Sequence, residues 1–162
     1  MTTLDWIPFA SGVKILNNHP TGIVAVEKPA GVLAHPNASD KKEKEAVLIE
    51  SNYSMAEEAF HIRDGKGGVK KVYLLNRLDS PTSGVLLLSL DEKLAEAVKE
   101  LFADSKVSKK YAAIVKGRGL RSPRGTWQDS LVKSSGPGGG VRSSTKSSGG
   151  SPAITVYQWI RA

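Results

Sequence analysis

The sequence has no cysteine. That excludes disulfides and thiolate metal sites and fits a reducing cytoplasmic setting. No apolar run approaches the roughly 18 residues that a membrane-spanning helix needs. The first nine residues lack a basic patch followed by an apolar stretch and carry Asp5, which argues against a secretory signal. The C-terminal third has almost no acid: residues 105–162 hold 11 Lys/Arg against Asp129 alone, net +10. Residues 1–104 hold 12 Lys/Arg against 15 Asp/Glu, net −3, so the chain's charge of +7 belongs to its C-terminal third. Such a field attracts polyanions, because each neutralised phosphate releases condensed counterions. The plainer alternative is a solvated basic surface that keeps the chain in solution. No basic amphipathic helix stands in that third, so a membrane surface is the weakest partner class.

At 162 residues, with 40% hydrophobic and 24% charged residues, the chain fits one soluble domain with a sizeable core. Residues 22–27 (GIVAVE) form a short β-branched run that Lys28-Pro29-Ala30-Gly31 ends as a strand ends. Residues 31–36 (GVLAHP) read as a second short extended piece. Residues 40–52 open with mixed charge and continue as AVLIES, which reads as a short helix packing Ala46, Val47 and Leu48. Residues 61–70 read as a loop or hairpin tip, with Gly65, Gly67 and Gly68 supplying permissive backbone. Residues 72–75 and 85–88 are strand candidates, and four consecutive apolar residues in the second predict burial on both faces. Ser89 or Asp91 then caps a helix to about Ala103, with Ser89-x-x-Glu92 in capping-box form. Leu94, Ala97, Val98, Leu101 and Phe102 make its expected core stripe.

Residues 111–115 (YAAIV), closed by Gly117, are expected as a strand, as are 126–132 and 154–160, the last with period-two alternation. Residues 134–151, almost entirely Ser, Gly, Lys and Arg, read as a low-complexity mobile loop. Trp127 and Trp159 are expected in the core. His19, His35 and His61 show no metal-ligand spacing and read as loop residues. The element order predicts an α+β domain: a mixed, mostly antiparallel sheet with flanking helices, in a single domain spanning 1–162.

The segment with most chemical promise is residues 76–84, NRLDSPTSG, between two apolar strand candidates. A carboxylate beside Arg77 at the start of a turn is exposed to ligand by a loop on a rigid scaffold. The structural alternative is that Asp79, followed by Ser80-Pro81, only caps its own backbone in an Asx-turn.

Arg77-Leu78-Asp79-x-x-Thr82-Ser83-Gly84 resembles the RLDxxTSG signature of the RNA pseudouridine synthases, the type that modifies ribosomal large-subunit and transfer RNA. Two further segments resemble the same family in the expected order: residues 27–36 (EKPAGVLAHP) its KPxG segment, and residues 109–117 (KKYAAIVKG) its KxYxAxVxG segment. The resemblance implies a pseudouridine-synthase-like catalytic domain, isomerising uridine in rRNA or tRNA in the cytoplasm, with structured RNA as partner and no cofactor or metal. It implies Asp79 as the catalytic carboxylate, either attacking the sugar carbon or removing a ribose proton. Arg77 would fill the place of the extruded base or contact a phosphate, and Tyr111 would stack on the target uracil. Lys109 and Lys110 would contact phosphate or simply end a strand in solvent. Pro29 and Gly31 are expected to shape a turn beneath the site. Thr82, Ser83 and Gly84 would fix its loop through side-chain bonds and a permissive glycine. Asn76 stands where the family often has His. The family's TGR and HQxR segments are not found before Ala162, so the domain is expected to be C-terminally incomplete. A catalytically silent RNA-binding remnant is the alternative.

Overall fold

The computed structural model describes residues 4–36, 45–116, 122–135, 141–145 and 150–160. They fall into two compact units, residues 1–109 and 110–162. The first carries strands β1 (Lys14–Asn18), β2 (Ile23–Lys28), β3 (Asn52–Ser54), β4 (Ala59–Arg63), β5 (Val69–Leu74) and β6 (Gly84–Ser89), then helix α1 (Glu92–Ala103). Its six strands run in the order β1-β2-β6-β5-β4-β3, and every paired neighbour is antiparallel. The loop joining β5 to β6 therefore leaves the middle of the sheet.

Period-two alternation sorts the side chains of this sheet onto two faces. Val24 and Val26 of β2, Phe60 and Ile62 of β4, Val72 and Leu74 of β5, and Leu86 and Leu88 of β6 point one way. Leu4, Ile7, Leu33, Val47 and Leu48 cover them. On the other face Ala59, Tyr73 and Leu75 pack with Ala95 of α1, and with Leu87, Val98 and Phe102 at the margin. The two-faced burial expected for residues 85–88 thus holds only in part. Leu86 and Leu88 are buried, Leu87 is half-buried and packs with Ala95 and its neighbours, and Val85 is exposed.

Helix α1 is present, and among the described residues it is the only one, packed against one face of the sheet. Its N-cap is Asp91, whose carboxylate accepts from Leu94 N at 2.8 Å. Ser89 makes no capping box: buried in the sheet, its hydroxyl accepts from Asp91 N and donates to Asp91 O. The core stripe is turned from the expected one. Ala95, Val98 and Phe102 face the sheet, while Ala97 and Leu101 are exposed.

Residues 46–48 are not helical. Ala46 bridges Leu33 in parallel and Leu48 bridges Phe9 antiparallel, which buries Val47 in extended chain. The preceding residues 40–44 lie outside the described ones. The hairpin at 61–70 is correct in kind but shorter: strands run to Arg63 and resume at Val69, so His61 is a strand residue. The Asp64 carboxylate closes the tip by accepting from Lys66 N at 2.9 Å and Gly68 N at 2.8 Å.

The second unit is a three-stranded antiparallel sheet, order β8-β7-β9, of β7 (Arg124–Ser135), β8 (Val141–Thr145) and β9 (Ser151–Gln158). Much of the segment 134–151 expected as a loop is therefore strand, since backbone pairing tolerates Ser and Gly where no core is asked of them. Residues 136–140 and 146–149 lie outside the described ones. Residues 111–116 form no strand, and Ile114 and Val115 are exposed; Gly117 is not described. Trp127 is not core either: it is 44% exposed and stacks on Tyr157 with ring centroids 4.4 Å apart.

Candidate active site

The β5–β6 connection is held at both ends before it holds anything else. Leu75 N donates to Leu87 O at 2.9 Å. Asn76 then continues the ladder with its side chain, which accepts from Leu87 N at 2.8 Å and donates to Val85 O at 3.3 Å. The amide at position 76 therefore takes on the pairing a strand backbone would have made. At the far end Gly84 enters β6 with φ 140°, a conformation that a side chain resists, and a Cβ there would stand 3.8 Å from Leu78 Cδ1.

Within the loop, Thr82 N donates to the main-chain carbonyl of Asp79 at 2.9 Å. This is a β-turn closed by backbone, not an Asx-turn closed by the Asp79 side chain. The carboxylate is exposed and makes no hydrogen bond or ion pair among the described residues. Among the described residues neither Thr82 nor Ser83 makes the expected side-chain bond. The hydroxyl that does is on Ser80, donating to Gly31 O at 3.0 Å.

Beneath this loop lies the turn that ends β2, brought alongside because Lys28 pairs with Gly84. Gly31 takes φ 93° in that turn and donates its N–H to Ser80 O at 2.7 Å. Pro29, Gly31, Ser80 and the Asp79 turn thus form one fastened unit. Lys28 completes it. Its side chain is fully buried and its ammonium donates to Pro29 O at 3.0 Å, Val32 O at 2.7 Å and Ser80 O at 3.2 Å. Burial pushes the amine below the ordinary lysine value, and the Asp79 carboxylate acts in the opposite sense. Sequence reasoning passed over Lys28 and Ser80, since a lysine reads as a surface residue until its burial is seen.

Arg77 is exposed on the same loop. Its guanidinium is felt at Tyr53, whose phenol burial pushes up to about 12, Glu58 reinforcing and Arg77 opposing the rise. Tyr53 stacks on His35, ring centroids 4.9 Å apart and planes within 10°. Lys109 is exposed, its Nζ 5.9 Å from the centre of the Phe102 ring. Lys110 and Tyr111 belong to the second unit, both exposed, Tyr111 by 70%. Among the described residues no cluster of three or more His, Asp or Glu could hold a metal ion, and no helix is long and apolar enough to cross a membrane.

The Asp79 carboxylate thus stands exposed over two turns that are hydrogen-bonded to one another. The family model described as RNA pseudouridylate synthase matches residues 22–162. The chain belongs to that family. Among individual proteins it is similar to the tRNA pseudouridine synthase C of Pectobacterium carotovorum, 40% identical over 95 residues, covering 59% of this chain and 22% of that protein. It is also similar to the tRNA pseudouridine synthase C of Vibrio cholerae, 41% identical over 95 residues, covering 59% of this chain and 34% of that one. Among solved structures, human RNA Pseudouridylate Synthase Domain Containing 4 superposes with a TM-score of 0.57 at 25% identity, over 90% of this chain and 52% of that one. The aligned part spans at most about a third of these two bacterial relatives and about half of the human chain.

Proposed function

We propose that this chain isomerises uridine to pseudouridine in tRNA or rRNA, with Asp79 as the reacting carboxylate. The reaction breaks the bond from uracil N1 to the sugar and makes one from C5 to the same sugar carbon. The C5 proton leaves to solvent and N1 gains one. Nothing is oxidised or reduced, so the chemistry asks for an acid–base or nucleophilic group and a means of holding the base, not an electron carrier. The observation that carries the reading is the exposed carboxylate of Asp79, without a hydrogen bond or ion pair among the described residues, on a loop tied to its own scaffold. Arg77 beside it serves the cavity left by an extruded base or a neighbouring phosphate, and Tyr111 the ring of the base itself. Lys109 and Lys110 contribute to phosphate attraction. Pro29, Gly31, Gly84 and the backbone of Thr82 hold the loop in place. On this reading the two units serve one catalytic domain at work in the cytoplasm.

Release of tritium from RNA labelled at uridine C5 tests the proposal directly. The chain is expected to release label, and Asp79→Ala to release none. Salt-sensitive RNA binding without release by the wild type would leave a catalytically silent RNA binder in its place, a reading favoured only by the basic residues 105–162.

A further inference from the structure

We infer that Asn76 is a positioning residue: its side-chain amide takes the place of backbone pairing between β5 and β6, releases Arg77 from the sheet and sets where the Asp79 loop begins. The inference rests on the reading of Asp79 as the reacting group. It starts from a gap in the ladder. Strand β6 is paired along its whole length with β2, but with β5 it shares only the pairs Tyr73↔Ser89 and Leu74↔Leu88. Carried on in the same register, Leu75 would face Leu87 and Arg77 would face Val85. A regular antiparallel ladder would then give Leu87 N to Leu75 O and Arg77 N to Val85 O. Leu75 N does donate to Leu87 O, at 2.9 Å, and there the backbone pairing stops among the described residues.

One side chain makes up both missing bonds. Asn76 Oδ1 accepts from Leu87 N at 2.8 Å, in place of the Leu75 carbonyl. Asn76 Nδ2 donates to Val85 O at 3.3 Å, in place of the Arg77 N–H. A carboxamide suits this task because it carries an acceptor and a donor on one carbon, as a peptide does. Without it, Leu87 N and Val85 O would be left short of partners, or residues 75–77 would close onto β6 to satisfy them. Closure would make Arg77 a ladder residue and draw the chain ahead of Asp79 into the sheet. The amide thus holds the split between β5 and β6 by which residues 77–83 leave the sheet. Asn76 is half-buried, with its oxygen and its nitrogen both engaged on β6, and acts on the reaction through the loop it starts.

The test uses the full chain and two variants close to asparagine in size. Asn76→Leu can neither accept nor donate, and its kcat for tritium release at saturating RNA is expected to fall about tenfold at every pH, since a small displacement of a reacting group is that damaging. Asn76→Asp switches the second bond with pH. A protonated carboxyl reproduces the amide, its carbonyl accepting Leu87 N and its hydroxyl donating to Val85 O. The ionised form instead sets a negative oxygen against the Val85 carbonyl, which with partial burial raises the pKa of the new acid. Its kcat, divided by that of the wild type at the same pH, should therefore climb from about a tenth at about pH 8 towards one at about pH 5. Strand β6 carries no charge. On the neighbouring elements Arg77 and Lys28 favour the ionised form, Asp79 and Glu27 oppose it, and their own titration is common to the wild type and divides out. Wild-type kcat in a folded Asn76→Leu overturns the inference. So does a flat ratio for Asn76→Asp, or one that only follows the folded fraction measured by circular dichroism. If Asn76→Leu does not fold, Asn76→Asp decides alone. Asp79→Ala separates the two levels: full activity there, or none in the wild type, brings down the functional reading and this one together. An inactive Asp79→Ala beside a pH-flat Asn76→Asp removes only the role of Asn76.

Discussion

Replacing Gly31 with alanine should slow catalysis, and a matched control can show that the loss is local. Gly31 has φ 93°, and a Cβ built there meets nothing within 4 Å. The whole penalty is therefore backbone conformation, not collision. A non-glycine residue in the left-handed region is disfavoured by roughly 1–2 kcal/mol. Alanine recovers about 0.4–1 kcal/mol by restricting the unfolded chain. The net is about 1 kcal/mol, or about 4 °C in the melting temperature of a unit of this size. Gly65, at the β4–β5 hairpin tip, has φ 71° and is equally open, so Gly65→Ala should lose the same stability by the same cause.

The two variants should part company in function. To relieve its strain, alanine at 31 must rotate the peptide that donates to Ser80 O at 2.7 Å, and Ser80 adjoins Asp79. Gly65 touches no part of that loop. Equal melting shifts by calorimetry, with tritium release about tenfold slower in Gly31→Ala and unchanged in Gly65→Ala, are expected. Equal rates in both variants would refute the reasoning, as would a Gly65→Ala chain that loses activity in proportion to its stability.

Other expectations concern the scaffold. Phe60→Ala, at a fully buried position in the main core, should lower unfolding free energy by about 3–5 kcal/mol in denaturant titration, and a change under about 1 would mean the site collapses around the gap. Asp91→Ala should remove the cap on Leu94 N and reduce stability by about 1 kcal/mol, visible as a lower helix content on heating. Glu57 is held below the ordinary carboxylate value of 4.5, first by the Lys71 ammonium and then by His61. Its contribution to stability is therefore complete above that value and lost as pH falls through the lower folded one, and Glu57→Gln should flatten the acid limb of a melting-temperature profile. Finally, Lys110→Ala should weaken RNA binding with little regard to sequence and reduce the salt slope by about 1; an unaltered slope would remove that lysine from the phosphate contacts.

What could be read from the residues follows from where burial leaves a pattern. Strands β2 and β6 stand out as short apolar runs, while helix α1 buries one face and so carries apolar periodicity. The run Val47-Leu48-Ile49 carries none: three apolar residues in a row suit either a buried helix or an extended bridge, and only Leu33 and Phe9, distant in sequence, decide for the bridge. Strand β1 is exposed along nearly its whole length and could not announce itself by hydrophobicity. The rotation of the α1 stripe has a similar origin, since Leu94, Ala97 and Leu101 make an apolar line as good as Ala95, Val98 and Phe102. Which line faces inward was set by the sheet and not by the helix. At the site, Asp79, Arg77 and Gly31 were legible because a motif spaces them. Ser80 was not, because a serine before a proline is explained well enough as a turn residue until its hydroxyl is seen on Gly31 O.

The same geometry explains why a charge is buried where an apolar side chain would be simpler. A loop whose acid stands open to solvent is not packed from above, so its position is set from below and from the sides. Apolar packing is poorly suited to that work, for it is non-directional and would let a short polar turn slide. Hydrogen bonds to particular carbonyls are directional, and two donors on the Ser80 oxygen fix an orientation that one would not. The cost falls on Lys28, whose amine is driven below its ordinary value by burial. That cost is bearable because β2, paired on both sides by β1 and β6, keeps the stem of the side chain in place. The exposed carboxylate thus stands next to a residue whose carbonyl is bonded by the least exposed cation among the described residues.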